Sequence, residues 1–259
     1  MKAILLFLIL GIGFGLQAMA ATLVASYSFE GNTNDLSGSG NHAVNYGAAF
    51  VAGISGQALR FDGNDFVRAA DSASLDIPGS ISLAAWVKTS VPGTEYVSMV
   101  AKHYTHNNRS YGLFLTDTMV GYSQFDNASN SDYDISDNVA LNNGQWHYVA
   151  STYNATTGDF KLFVDGALRT SENVGSHTLM NSSVPLIMGA YGLSADGYTN
   201  RGFLVGDLDE VRVYNGVLTD TEITILYNSY SIPEPHSIIL LILATASLWF
   251  RQSRRAFSH

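Results

Sequence analysis

The sequence predicts an all-β domain built as a sandwich of two antiparallel sheets. Short segments in which apolar and polar residues alternate recur along the chain, and clusters of Gly, Asn and Asp separate them. Residues 81–87 and 160–164 are typical, and the second is followed at once by the turn Asp165-Gly166. Because about a dozen such segments follow one another without helical crossovers, the strands are expected to pair antiparallel and to pack as two sheets.

Alternation also predicts which face of each strand is buried. The first strand places four apolar side chains on one face: Leu23, Ala25, Tyr27 and Phe29. On the last strand, Asp209 is expected to share the inward face with Val211 and Val213, since successive side chains point to opposite sides of a sheet. Four aromatic residues are predicted to lie in the core: Phe29, Phe61, Trp146 and Phe163.

One helix is predicted near the end of the domain. Thr219 and Glu222 have the spacing of a capping box, in which each side chain bonds to the backbone of the other residue. Ile223, Leu226 and Tyr227 then recur with the period of an α-helix. This helix is expected to close the globular region.

The first 20 residues have the pattern of a secretory signal peptide. Lys2 supplies a positive charge, residues 4–14 form an apolar run, and small residues end the segment at Ala20. Signal peptidase is therefore expected to cut between Ala20 and Ala21. We predict a signal peptide over residues 1–20 and an exported protein.

The C-terminal segment, residues 230–259, carries a second set of signals. Its first part is Pro233-Glu234-Pro235, which can continue neither a helix nor a sheet ladder and is therefore expected to be extended. An uncharged apolar segment follows at 237–250. Its 14 residues would rise only about 21 Å as a helix, against about 30 Å of membrane hydrocarbon.

Three basic residues come directly after the apolar segment: Arg251, Arg254 and Arg255. Basic residues favour the cytoplasmic side of a membrane, so the chain before residue 237 is expected to lie outside the cell. The order of Pro-Glu-Pro, apolar helix and arginines resembles the PEP-CTERM sorting signal. That resemblance implies that an exosortase in the membrane removes the tail and passes the protein to the cell surface or the exopolysaccharide matrix. An ordinary membrane anchor is the alternative.

Between these tails, residues 21–229 are predicted to form one domain. They contain 9 Lys and Arg against 21 Asp and Glu, which gives a formal charge of −12. This acidity makes nucleic acid and anionic lipid surfaces poor partners and is compatible with cations and neutral glycans. The chain has no cysteine, so its stability must come from a packed core or a bound metal.

Several strand and turn motifs carry a family resemblance. In order they are residues 27–32 (YSFEGN), 58–63 (ALRFDG), 146–149 (WHYV), 162–166 (LFVDG) and 206–215 (GDLDEVRVYN). Their order and spacing resemble laminin-G-like, concanavalin A-like jelly rolls over almost all of residues 22–228. The resemblance implies a jelly-roll β-sandwich with a short C-terminal helix.

The residues offer weak support for catalysis. Asp207 and Asp209 have the i, i+2 spacing of the carboxylate pair in some jelly-roll glycosidases, but those enzymes resemble Glu-x-Asp-x-x-Glu and position 212 is Arg. His103 and His106 lie in a polar stretch without a third ligand at standard spacing, so we expect surface histidines there. We predict a protein that is not an enzyme. A carbohydrate-active enzyme, either a glycoside hydrolase or a lyase, is the alternative.

Five tyrosines are the candidate ligand-binding residues, because each is expected to lie in a loop among Gly, Asn and Asp: Tyr104, Tyr122, Tyr133, Tyr191 and Tyr198. Exposed rings with amide and carboxylate neighbours can stack on sugars and bond their hydroxyls. The alternative is that these rings only pack the loops.

Laminin-G-like domains often carry a structural calcium ion, so the resemblance also implies one where the first and last strands meet. Asn32 and Asp35 follow the first strand, and Asp209 is expected to point inward. These three residues are the predicted calcium ligands, since the ion prefers hard oxygen donors. The alternative is that Asp209 only accepts hydrogen bonds from backbone amides.

The predicted function is a non-enzymatic glycan-binding or adhesion module of the cell surface or extracellular matrix, with an extracellular polysaccharide as its partner. Signal peptidase and an exosortase are the expected processing partners. The C-terminal helix would hold the protein at the membrane until it is removed. A structural matrix protein without a ligand is left open.

Overall fold

The computed structural model describes residues 20–93, 95–103, 109–192 and 201–231. The predicted signal peptide before Ala20, the whole sorting signal from Pro233 onward, and Tyr104 and Tyr198 lie outside these residues. Ala20 is exposed and Ala21 directly precedes the first strand, and cleavage between them stays a prediction.

The described residues form fifteen strands and one helix. In chain order they are β1 Thr22–Tyr27, β2 Ala43–Tyr46, β3 Ala49–Ala52, β4 Gln57–Asp62, β5 Phe66–Ala69, β6 Ile81–Lys88, β7 Val97–His103, β8 Arg109–Leu115, β9 Val120–Asp126, β10 Asp132–Ala140, β11 Trp146–Tyr153, β12 Asp159–Val164, β13 Ala167–Asn173, β14 Leu186–Met188, β15 Val205–Asn215 and α1 Asp220–Ser231.

The strands form two antiparallel sheets, so the predicted two-sheet β-sandwich is confirmed. Sheet A has the order β13-β12-β11-β6-β15-β4-β3, and β1 also pairs with β15. Sheet B has the order β10-β9-β8-β7-β14-β5-β2. Strands that pair within a sheet are often distant in sequence. The core between the sheets is therefore formed by residues from the whole length of the domain.

The main core lies between the sheets and is filled by the inward residues of the strands. On β6 the alternating residues Leu83, Ala85 and Val87 are buried there, as predicted. Leu113 and Met188 of sheet B belong to the same buried cluster. Burying one leucine-sized side chain stabilises a protein by about 1.5–3 kcal/mol, so this interleaving holds the sandwich without disulfides.

The helix α1 covers the outer face of sheet A and begins as predicted. The backbone nitrogen of Thr219 donates to Glu222 Oε2 at 2.7 Å, and the backbone nitrogen of Glu222 donates to Thr219 Oγ1 at 3.2 Å, which completes the capping box. Ile223 is buried against the sheet, and the rings of Trp86 and Tyr227 stack with centroids 5.5 Å apart. No helix in the described part of the chain is long and apolar enough to cross a bilayer.

The predicted turn Asp165-Gly166 allows the helix to approach the sheet. Gly166 has φ +75°, a conformation that favours glycine, and a Cβ at this position would lie 2.7 Å from the ring of Tyr227. A larger residue would therefore strain the turn and push the helix away.

Two apolar placements predicted by alternation were wrong. The register of β1 shifts between Leu23 and Ala25, so Leu23 packs in the cluster under α1 while Ala25 enters the main core. Trp146 is only half-buried at the edge of the cluster under α1, with Lys88 Nζ 6.0 Å from its ring centroid. Phe163 is buried as predicted, although in the cluster under α1.

Candidate functional site

A cleft lies on the outer face of sheet B. Across β7 to β10, the residues Ala101, Gly112, Gln124 and Asp134 are directly paired and share one face. Their neighbours along each strand point into the core, so this row faces away from it. Because Gly112 has no side chain, the ring of Phe114 can lie close to its backbone on this face. A Cβ at Gly112 would lie 2.3 Å from that ring.

The cleft has a volume of about 300 Å³ and a mixed aromatic and polar lining. It is lined by Tyr96, His103, Arg109, Phe114, Tyr122, Gln124, Asp132, Asp134 and Tyr191. Two of the predicted ligand-binding residues, Tyr122 and Tyr191, therefore meet here although they are distant in sequence.

Aromatic rings wall the cleft and meet at steep angles. Tyr96 and Tyr122 have ring centroids 5.1 Å apart at 71°, and Phe114 and Tyr191 are 5.8 Å apart at 87°. The ring of His103 lies 5.0 Å from that of Tyr191 at 77°. Tyr96 is 42 % exposed, whereas Phe114 and Tyr122 are buried, so Tyr96 is the more accessible of these three rings.

An ion-pair network holds the polar end of the cleft. Arg109 Nε donates to Asp126 Oδ2 at 2.9 Å, and the same guanidinium contacts Asp132 through Nη2. Asp126 is fully buried, and its pairing with Arg109 offsets the cost of placing a carboxylate there. The network therefore fixes the β8, β9 and β10 residues around the cleft.

A chain of hydrogen bonds links this network to the aromatic wall. Tyr122 Oη donates to Asp134 Oδ2 at 2.9 Å. Since a hydroxyl has one proton, the amide nitrogen of Gln124 donates to Tyr122 Oη at 3.1 Å, and its oxygen accepts from Arg109 Nη1 at 2.6 Å. Burial, and then the carboxylate of Asp134, raises the pKa of Tyr122 well above its usual value, so the hydroxyl stays protonated.

The other predicted tyrosines do not join the cleft among the described residues. Tyr133 lies on β10 and faces the opposite way, where its ring stacks on Phe125 at 5.3 Å and on His177 at 4.2 Å. Tyr122 is likewise on a strand, so the prediction that these two rings lie in loops was wrong. Tyr104 and Tyr198 lie outside the described residues.

Some residues that line the cleft were not predicted from the sequence as binding residues. His103 was expected on the surface of a loop, but it ends β7 with only 9 % of its surface exposed, and its ring lines the cleft. Phe114 was missed because it alternates with Leu113 and Leu115 on a strand that is buried on both faces. The signal that could have found it is an aromatic residue at an outward position.

The two predicted calcium ligands after β1 take part in local hydrogen bonds. Both oxygens of Asp35 accept bonds from the backbone of Ser26, Ser37 and Asn41 and from the Ser37 hydroxyl. Burial opposes ionisation of Asp35, but these bonds outweigh it and lower its pKa. The side-chain nitrogen of Asn32 donates to the Glu30 carbonyl, and its side-chain oxygen accepts from the backbone nitrogen of Asn34.

Asp209 is fully buried, but the prediction that it shares the face of Val211 was wrong. Glu210 has φ +50° and the register of β15 shifts between Asp209 and Arg212, so Asp209 lies opposite Trp86 on the helix side of sheet A. Asp209 Oδ2 accepts hydrogen bonds from the backbone nitrogens of Ile54 at 3.0 Å and of Ser55 at 3.4 Å. Its Oδ1 accepts from the backbone nitrogen of Glu210 at 2.8 Å.

These contacts do not fit a calcium centre, because the carboxylates of Asp35 and Asp209 are each engaged by amides of different loops. In the described part of the chain, no group of three or more His, Cys, Asp or Glu side chains is arranged to hold a metal. The contacts favour the alternative in which Asp209 accepts backbone amides. Calcium binding stays a prediction, and melting with and without a chelator tests it.

The two carboxylates at glycosidase spacing are also engaged. Asp207 is held by Arg60 through two bonds, from Nε at 2.7 Å and from Nη2 at 3.0 Å. Asp209 is held by the amides described above. Neither carboxylate lines the cleft on sheet B.

Several solved structures of other proteins contain a domain with the same fold. The binding domain of Paraclostridial Mosquitocidal Protein 1 is 19% identical with a TM-score of 0.67, covering 81% of this chain and 52% of that one. The binding domain of Botulinum neurotoxin DC in complex with SialylT is 16% identical with a TM-score of 0.62, covering 81% and 52%. This chain thus spans about half the length of these two toxin domains.

Domain 4 of AbnA, a GH43 extracellular arabinanase from Geobacillus stearothermophilus, in complex with arabinotriose, is similar over almost its whole length. It is 21% identical with a TM-score of 0.60, covering 80% of this chain and 98% of that one. At these identities the likeness is one of fold.

The family comparison agrees with the two-sheet topology and with the motifs in the sequence. The laminin G family model, described as the concanavalin A-like lectin/glucanases superfamily, matches residues 61–224. Because this match covers more than half of the chain, the protein belongs to the concanavalin A-like lectin/glucanases superfamily.

Proposed function

We propose that this protein is a non-enzymatic glycan-binding module and that the cleft on sheet B is its binding site. The observation that carries the proposal is the meeting of Tyr96, Tyr122 and Tyr191 with the polar side chains of Gln124 and Asp134 in one open cleft. Aromatic rings can pack against the apolar faces of a sugar, while carboxylate and amide groups bond its hydroxyls.

The cleft is small and open, so affinity for a single oligosaccharide is expected to be modest. About 300 Å³ is at the lower end of the size of small-molecule sites. Display of many copies on a cell surface or in a matrix would add avidity without new contacts.

The family and fold comparisons support this proposal. The matched superfamily takes its name from lectins and glucanases, and one domain of this fold was solved in complex with arabinotriose. Another was solved in complex with SialylT. The hydrogen bonds that engage Asp207 and Asp209 favour binding over glycoside cleavage.

Replacing Tyr96 with alanine tests the site, because this ring is 42 % exposed and its loss should spare the fold. We expect at least one glycan on an array to bind the purified protein, and Tyr96→Ala to weaken it about tenfold in calorimetry. Tyr46→Ala is the matched control, since Tyr46 is 38 % exposed on β2 at the opposite edge of sheet B. No glycan binding, or equal losses in both variants, would refute the proposal.

We further propose that the signal peptide exports the protein and that an exosortase removes its C-terminal tail, because both terminal patterns predict the same topology. Mass spectrometry of surface protein from cells with an active exosortase should find no peptide from Ile238 onward. Recovery of mature protein that still ends at His259 would instead indicate a lasting membrane anchor.

A further inference from the structure

We infer that the cleft recognises an ammonium group, so that its ligand is a glycan that carries free amines. This inference rests on the proposed function and narrows its ligand class to polysaccharides that contain amino sugars without N-acetyl groups.

The first support is the shape of the aromatic wall. Tyr96 and Tyr122 meet at 71°, and Phe114 and Tyr191 at 87°, so the rings of each pair pack edge to face against one another. Phe114 and Tyr122 are buried, whereas Tyr96 is 42 % exposed and is the ring that a ligand can reach. A cation over the face of an open tyrosine ring is attracted by the ring quadrupole.

The second support is the charge that remains at the polar end. The guanidinium of Arg109 is paired with Asp126 and Asp132. Asp134 is exposed at the cleft, and among the described residues its side chain accepts only the hydroxyl of Tyr122. The carboxylate of Asp134 is therefore left to pair with a cation of the ligand.

The electrostatic field around the cleft is also negative. The pKa of Tyr191 is raised, first by burial and then by the carboxylate of Glu95, against a smaller opposing effect of Arg201. Together with the formal charge of −12 over residues 21–229, this favours cationic over acidic glycans. An acidic sugar would meet the carboxylate of Asp134, whose repulsion would oppose binding.

A matched pair of oligosaccharides tests the inference. We expect the glucosamine tetramer to bind the purified protein about tenfold more tightly than the N-acetylglucosamine tetramer in calorimetry, because only the first has ammonium groups. Asp134→Asn should abolish this preference while any binding of the acetylated tetramer is kept. The preference should also shrink at high salt, since the charges lie near solvent. Tyr46→Ala should leave it unchanged.

The outcomes separate this inference from the proposed function. Equal or tighter binding of the acetylated tetramer would overturn the inference and leave glycan binding intact. The inference would also be overturned if Asp134→Asn kept the full preference for the glucosamine tetramer. The same holds if another glycan binds and neither tetramer does. If no glycan of any kind binds, both the inference and the proposed function fail.

Discussion

Replacing Lys102 with methionine is expected to lower the free energy of unfolding by about 3–5 kcal/mol. Lys102 on β7 is fully buried, and its Nζ lies 2.7 Å from Asp71 Oδ1 and 2.9 Å from Asp76 Oδ1. It also donates to the carbonyl of Ser182. Methionine keeps the apolar stem but removes the ammonium, which leaves two partly buried carboxylates close together without their cation.

Lys161→Met is the matched control, since Lys161 pairs with Asp220 at 2.8 Å and both side chains are partly exposed, at 29% and 53%. An exposed pair of this kind contributes about 0–1 kcal/mol. Urea denaturation of the two variants gives the comparison. Similar losses in both would show that Lys102 does not hold the β5–β6 connection to sheet B.

Replacing Asp209 with asparagine is expected to cost about 2–4 kcal/mol of stability at about pH 9, where the carboxyl group is ionised and both of its oxygens accept hydrogen bonds. The two carboxylate oxygens accept three backbone N–H groups, two from the β3–β4 hairpin and one from Glu210. Asparagine has one acceptor oxygen, so in either orientation its NH2 group faces a backbone donor. Asp117→Asn, at an exposed turn, should leave the urea midpoint unchanged. A stable Asp209→Asn variant would refute this account.

The same carboxyl group makes stability depend on pH. Burial, together with the nearby Glu210 carboxylate, raises the pKa of Asp209 to about 7 despite its amide hydrogen bonds. An unfolded aspartate titrates near 3.9, so the folded state holds this proton more tightly. The pH-dependent part of the contribution of Asp209 to stability is therefore expected to be full below about pH 4, to fall as the pH rises to about 7, and to stay level above that.

Carbon-13 NMR of the side-chain carboxyl measures this titration directly. We expect a midpoint near 7 for Asp209. A midpoint at or below the ordinary value would mean that the amide bonds dominate, and the sign of the pH dependence would then reverse.

Local signals in the sequence were sufficient for the fold class and for several of its elements. Alternation on β6, the capping box at Thr219 and Glu222, and the Asp165-Gly166 turn each depend on residues close together in the chain. Their energetics are mostly local, so they could be recognised before any long-range contact was known.

The faces of Leu23 and Asp209 could not be predicted in this way. Counting alternate residues is valid only until a strand takes in an extra residue, and both β1 and β15 do so. Whether a bulge forms depends on the pairing strand, which comes from another part of the chain.

What the sequence by itself determined was therefore a two-sheet β-sandwich closed by a capped helix, with tyrosines as candidate ligand contacts. Only the tertiary structure decided which of them share a site: Tyr122 pairs with Ser136 on the outer face, whereas Tyr133 pairs with Phe125 and points inward. Tyr191 joins Tyr122 because β14 lies next to β7 in sheet B and the chain after β14 returns past the end of β7, where Gly192 bonds to His103. Strand order and register depend on long-range packing between the sheets, and no local pattern of residues specifies them.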